Sequence, residues 1–175
     1  MRAAPNICIG HGYDLHQLAP PPPNGEGRPF VLGGVTLDHA SGPVSHSDGD
    51  VLYHAVTDAV LGALGEGDIG RLFPDDDPVN EGADSSRFLL EAARRLQAAG
   101  LCIGNLDATV ILESPRLSHY IEVMARNIAS LLACDAVCIS IKAKTHEGVD
   151  AVGEGRAVEA HVVVLLQQEA ASTGQ

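Results

Sequence analysis

Three residues set the chemical question. Asp14 and His16 stand two apart in a stretch that reads as extended, so both side chains leave the same face of the chain. His54 falls in the first turns of a helical pattern that follows. One carboxylate and two imidazoles fill three corners of a tetrahedron and leave the fourth open, the arrangement of catalytic rather than structural zinc. A D-x-H pair is, taken alone, also what two solvated polar groups look like. Its flank, Gly10-His11-Gly12, permits close backbone approach or positive φ beside the pair.

Other groups follow along the chain. His46-Ser47-Asp48-Gly49-Asp50 precedes the helical pattern, where side chains cap a helix and free N–H groups with the helix dipole favour an anion. Gly67 to Pro78 offers oxygens for polyol hydroxyls or calcium, but lacks the central glycine and terminal glutamate of an EF-hand. Lys142, Lys144, Thr145, His146 and Glu147 crowd the end of a strand pattern. Cations and a hydroxyl suit a phosphate, and Glu147 suits a second divalent ion.

These groups need a scaffold, and 175 residues with 45% hydrophobic content predict one domain over residues 1–175. Only 3% of residues are aromatic and none is Trp, so the core must be aliphatic. Extended segments are expected at Asn6 to Leu18, Phe30 to Leu37, Leu101 to Leu112, Val137 to Ala143 and Ala157 to Gln167. Helices are expected over Val51 to Leu64, over a stretch capped by Asp84-Ser85-Ser86 with a buried stripe Phe88, Leu89, Ala92, Leu96 and Ala99, and over Leu117 to Leu132. Pro20 to Pro29 reads as a stiff surface loop and 168–175 as a frayed tail. The order predicts an α/β (α+β) two-layer sandwich, one mixed sheet with helices on one face. Val163 and Leu165 point to the other face, which needs a cover, and self-association supplies it by symmetry.

The formal net charge is -12, with 23 acidic against 11 basic side chains. Such a chain is poorly suited to nucleic acid. Ten acids and one base, Arg71, lie between Asp48 and Asp84, so nine of the twelve net charges sit in that stretch. The acids alternate with apolar residues, which argues against a disordered tail and for a cation-dependent site. Cys8, Cys102, Cys134 and Cys138 form no CxxC pair and read as buried thiols of a reducing compartment. With no signal-peptide or membrane-spanning pattern, the expected location is cytoplasmic.

The run GHGYDLH, then LGG, then HSDGDVLYHAVTDAVLGALGEGDIGRLFPDDDP and GADS resembles the 2-C-methyl-D-erythritol 2,4-cyclodiphosphate synthase family of the non-mevalonate isoprenoid pathway. That resemblance implies a homotrimer with active sites between subunits. It implies conversion of 4-diphosphocytidyl-2-C-methyl-D-erythritol 2-phosphate to the cyclic diphosphate, with release of CMP. It also implies that Asp14, His16 and His54 hold zinc, and that Glu147 serves a second ion, Mg²⁺ or Mn²⁺. His46 and Thr145 are implied as transition-state stabilisers and Ser47 as a neighbour of the phosphates. Asp68, Ile69, Gly70, Phe73, Asp75, Asp77 and Ser85 fall on the methylerythritol loop. Glu113, Ser114, Pro115, Arg116, Leu117, Ala143 and Lys144 fall on a cytidine pocket of the neighbouring subunit.

The chain departs from the common pattern at Lys144-Thr145-His146-Glu147, where most members carry T-T-T-E. It departs again at Val152, where an arginine usually lines a cavity on the trimer axis, and at the longer Pro20 to Pro29 loop, which reads as decoration. Two other readings of the same residues are a zinc-dependent phosphohydrolase, releasing inorganic phosphate, and a non-catalytic metal- or nucleotide-binding trimer.

Overall fold

The structure, a computed structural model, describes residues 7–74 and 76–168. Asn6, Asp75 and the tail residues 169–175 lie outside the described residues. The elements in chain order are β1 (Ile7–Ala19), β2 (Val31–Leu32), β3 (Val35–Thr36), β4 (Gly42–Pro43), α1 (Val51–Leu64), α2 (Ile69–Leu72), α3 (Ser86–Ala98), β5 (Leu101–Ile111), α4 (Ile121–Leu131), β6 (Ile139–Lys144), α5 (Asp150–Gly153) and β7 (Ala157–Gln168). Five strands form one mixed sheet in the order β4-β1-β7-β5-β6, antiparallel throughout except for the parallel pair β5 and β6.

The sheet is covered on one face. Val158, Ala160, Val162, Val164 and Leu166 of β7 are fully buried, with Leu106, Ala108 and Val110 of β5 beside them. α1 packs on β1 and β7, α3 on α1 and β5, and α4 on β6. The opposite face shows Ile9 at 70% and Val163 at 48% exposure. The expected two-layer sandwich is therefore what forms, and its second sheet face is open and mixed, with Ile9, Leu15 and Val163 set among His11, Tyr13, His161 and Asp107.

α1 is central because it is apolar nearly all round, buried from Val51 through Thr57 and again from Ala59 to Leu61. A helix of that composition needs cover on every side. It lies directly on β1: a Cβ on Gly10 would sit 1.8 Å from the Ala59 carbonyl oxygen, and one on Gly12 1.9 Å from that of Ala55. Of the two options open for those glycines, close approach is the one used. That contact sets His54, the neighbour of Ala55, above Asp14 and His16.

Asp50 fixes where α1 starts. Its Oδ1 accepts from the N–H groups of Leu52 (3.2 Å), Tyr53 (3.1 Å) and Gly33 (2.9 Å), and Oδ2 from Gly34 N–H (2.7 Å). Gly33 and Gly34, at φ +56° and +72°, make the two-residue turn between β2 and β3, the type I′ geometry. One fully buried carboxylate thus joins the helix cap to the hairpin. Asp50→Ala would leave three buried donors, on Gly33, Leu52 and Tyr53, without an acceptor, and unfolding in urea should show a loss of about 3 kcal/mol.

Several boundaries differ from expectation. The run from Phe30 to Leu37 is a hairpin rather than one strand, since Gly33-Gly34 turns the chain back. Leu117–His119 is a separate 3₁₀ turn before α4, and Ala136–Cys138 is another before β6, so the last parallel strand starts at Ile139. Ala99 is exposed; Ala93 completes the buried stripe of α3 instead. Ser85 makes no capping hydrogen bond to α3. The acid-rich segment after α1 is not all loop: Asp68 caps α2 by accepting from Arg71 N–H, and Asp77 caps a 3₁₀ turn, Pro78–Asn80, by accepting from Val79 N–H.

Candidate metal centre and the two clefts

Asp14 and His16 project from the same face of β1, and His54 descends on them from the first turn of α1. The ligand atoms form a triangle: Asp14 Oδ2 to His54 Nδ1 2.9 Å, Asp14 Oδ2 to His16 Nε2 3.2 Å, and His16 Nε2 to His54 Nδ1 3.1 Å. Tetrahedral ligands about 2.0–2.1 Å from a zinc ion stand about 3.3 Å apart, so the triangle is close to the size a metal needs. These three form a group able to hold a divalent metal ion.

The surroundings fix which atoms face inward. Asp14 Oδ1 accepts from Leu15 N–H at 2.9 Å, leaving Oδ2 for the triangle. His54 Nε2 lies 2.8 Å from Ser85 Oγ and 3.2 Å from Ser47 Oγ. Ser85 Oγ in turn donates to Asp48 Oδ1, while Ser85 N–H donates to Asp48 Oδ2 at 3.1 Å. This chain of partners favours the His54 proton on Nε2 and frees the Nδ1 lone pair as a ligand, the outer-shell pattern that orients metal-bound histidine. Burial opposes charge on Asp14, but hydrogen bonds from His16 and His54 outweigh it and hold the carboxyl well below its ordinary value. Burial likewise opposes charge on His54, and the hydrogen bond to Asp14 overcomes it and raises the imidazole above its ordinary 6.5. The site therefore concentrates negative charge and attracts a cation, a proton or a metal.

The triangle forms one wall of a cleft of about 380 Å³, whose lining also includes His46, Ser47, Ile69, Gly70, Phe73 and Asp58. Asp58 was not singled out by its type, although it lies four residues after His54 and so shares its helix face. Its Oδ1 accepts from Ile69 N–H at 2.7 Å and ties α2 across the cleft; burial raises its pKa, against that hydrogen bond. Asp68 and Asp77 do not line this cleft with their carboxylates, which cap helical turns. Ser85 is fully buried behind His54 rather than on the loop surface. Asp75 lies outside the described residues.

A second cleft, about 450 Å³, is lined by Leu112, Glu113, Pro115, Arg116, Leu117, Ser118, Ala143, Lys144 and Thr145. It gathers the expected nucleotide residues except Ser114, whose Oγ faces His39 Nε2 at 3.4 Å. Glu113 Oε2 is buried there with no hydrogen-bond partner, an acceptor awaiting a donor. Glu147, exposed and at φ +52°, belongs to no metal-binding group among the described residues.

Strand register sets the distance between the clefts. Asp14 pairs with Ala160, Ala160 with Val110, and Val110 with Ala143, which puts three strand spacings, about 14 Å, between the metal group and the second cleft. Ala160 and Val110 between them are fully buried. Within one chain the core separates the two.

The chain is similar to known proteins in sequence and in fold. Residues 7–167 match the YgbB family. The chain is similar to the chloroplastic 2-C-methyl-D-erythritol 2,4-cyclodiphosphate synthase of Oryza sativa subsp. japonica, 50% identical over 92% of this chain and 70% of that protein. It is 48% identical to the enzyme of the same name from Pelobacter propionicus, over 90% of this chain and 96% of that one. Among solved structures it is similar to a CDP complex of IspF from Plasmodium falciparum, with TM-score 0.81 and 37% identity over 95% of this chain and 99% of that one.

Proposed function

The chain belongs to the YgbB family, and from that premise we propose that it closes 2-C-methyl-D-erythritol 2,4-cyclodiphosphate in the non-mevalonate isoprenoid pathway. It is a phosphorus–oxygen lyase acting on 4-diphosphocytidyl-2-C-methyl-D-erythritol 2-phosphate. An oxygen of the 2-phosphate attacks the β-phosphorus, the bond from that phosphorus to the bridging oxygen breaks, and CMP leaves with the electron pair. No water enters. The single observation that carries this reading is the Asp14–His16–His54 triangle opening into a cleft that also presents His46 and Ser47.

The nucleophile is already ionised, so no general base is needed and the work is positioning and charge neutralisation. Asp14, His16 and His54 would hold zinc and Glu147 a second ion, Mg²⁺ or Mn²⁺, supplying Lewis-acid neutralisation of phosphate oxygens. His46 presents Nε2 to the phosphates, Ser47 a hydroxyl beside them, and Thr145 with Lys144 a hydroxyl and an ammonium. Ile69, Gly70 and Phe73 close over the methylerythritol unit, whose apolar methyl suits Phe73. The second cleft takes the cytidine, and Glu113 Oε2 is the acceptor left for it.

Because buried core separates the clefts within a chain, we read the working unit as a homotrimer whose open sheet faces meet, with each site completed by a neighbour's second cleft. Among the described residues no helix is long and apolar enough to cross a membrane; our reading of the location is cytoplasmic. The direct test is incubation with the diphosphocytidyl substrate and Mg²⁺, resolving products by phosphorus NMR. CMP with a cyclic diphosphate is expected; inorganic phosphate would assign a hydrolase, and unchanged substrate a binding protein.

A further inference from the structure

The loop from Pro20 to Pro29 has no place in the chemistry so far, yet its Arg28 reaches the segment that carries His46. Arg28 Nε donates to the Ser45 carbonyl at 2.8 Å, and Nη2 donates to the His46 carbonyl at 3.2 Å. The same Nη2 pairs with Glu81 Oε1. The other oxygen of that carboxylate, Glu81 Oε2, lies 2.8 Å from His46 Nδ1. One guanidinium therefore holds two consecutive carbonyls of the His46 segment, and one carboxylate joins that guanidinium to the imidazole. Gly82 N–H adds a second donor to the His46 carbonyl at 2.7 Å.

The anchor beneath Arg28 is itself fixed. Arg28 N–H donates to the Pro43 carbonyl at 3.0 Å, and Gly27 N–H to that of Pro20 at 2.9 Å. A Cβ on Gly27 would lie 1.9 Å from the Ala19 carbonyl oxygen, so the loop is pressed against the end of β1. Only a planar fork can serve two carbonyls and a carboxylate together; an ammonium on a flexible stem cannot hold that geometry.

With Nδ1 engaged by Glu81, the His46 nitrogen left for a ligand is Nε2, whose present neighbour is the Asp77 carbonyl at 3.3 Å. Glu81 is 58% exposed at its side chain and Arg28 31%. Pairs so wet add little to stability, which leaves orientation as what they provide.

We propose that Arg28 and Glu81 are positioning residues for His46: together they set its backbone height, ring orientation and the nitrogen offered to the phosphates, so the proline-rich loop is a working part of the site. This rests on the reading that His46 meets substrate phosphate. A misplaced catalytic group costs rate far more than binding, and Glu81→Ala is expected to lower kcat about tenfold, with KM changed less than about twofold.

The experiment compares Glu81→Ala, Glu81→Gln and Arg28→Lys in the full chain, each alone and on a His46→Ala background, with zinc content and thermal midpoint measured for every variant. Gln keeps an acceptor for Nδ1–H, so Glu81→Gln should recover most of the rate; Arg28→Lys should resemble Glu81→Ala. On the His46→Ala background all three should change kcat less than about twofold, because the group they position is gone. Zinc content and midpoint should stay at wild-type values. Equal losses on both backgrounds, or wild-type kcat for Glu81→Ala while His46→Ala is impaired, would overturn the positioning role. A fully active His46→Ala would instead remove the premise about His46 itself, and the proposal with it.

Discussion

His54→Ala is expected to empty the metal site and lower turnover about 10³-fold, a change of about 4 kcal/mol in the barrier. The size follows from what the side chain does at both ends. Its Nδ1 completes the triangle with Asp14 Oδ2 and His16 Nε2, and its Nε2 is held by Ser85 and Ser47. Alanine removes one of three ligands and leaves Asp14 and His16, which are too few to hold zinc against water. Metal analysis should find less than about a tenth of the wild-type zinc, while circular dichroism should remain that of the folded chain, since α1 is held by its apolar faces and by Asp50. Stoichiometric zinc in the variant would remove His54 from the ligand set.

The same residue gives the pH dependence its sign. In the metal-free chain, burial works against protonation of His54, but Asp14 more than compensates, so its pKa lies above 6.5. A proton on Nδ1 occupies the lone pair a metal requires. Zinc affinity should therefore start to fall at a higher pH than an isolated histidine would impose, and keep falling as the solution is acidified. A zinc titration followed at stepwise lower pH measures this directly.

How far the sequence carries can be judged residue by residue. Asp14 and His16 were legible because strand alternation is strict and local, and His54 because α1 is continuous from its cap. The acid-rich segment was legible as folded, but not its division of labour. Asp68 and Asp77 cap short helical turns, whereas Asp48 acts through Ser85 on His54, a contact across 37 residues that no spacing announces. Ser85 looked like a helix cap or a loop residue for the same reason: only the packing of α3 on α1 puts it behind the imidazole. Arg28 lay in a stretch dismissed as decoration, since its partners, Ser45, His46 and Glu81, belong to two other segments. Local periodicity fixes which side of an element a residue takes; tertiary register decides whom it meets. The acidic charge follows the same division: of the ten acids between Asp48 and Asp84, Asp58 lines the cleft, while Asp68 and Asp77 cap turns and Asp48 holds Ser85.

Val163→Glu is expected to yield a folded, zinc-loaded monomer with turnover reduced at least about 100-fold. Val163 lies on the uncovered sheet face, 48% exposed, opposite His11 on β1 and Asp107 on β5. Ile9 and Leu15 continue the apolar surface at 70% and 44% exposure. A carboxylate there is solvated in the separate chain, so folding should be little affected. In a trimer packed through this face it would be buried in three copies beside Asp107, whose carboxylate already engages the neighbouring cation, Lys142, at a cost of several kcal/mol each. Asp14, His16 and His54 come from one chain, so zinc should remain. Turnover should not, because the second cleft lies about three strand spacings away behind Ala160 and Val110 and no monomer can bring it to the metal group. Sedimentation, metal analysis and CMP release on the same sample separate the possibilities. A fully active monomer would place the whole reaction within one chain, and an intact trimer would mean that subunits meet through another surface.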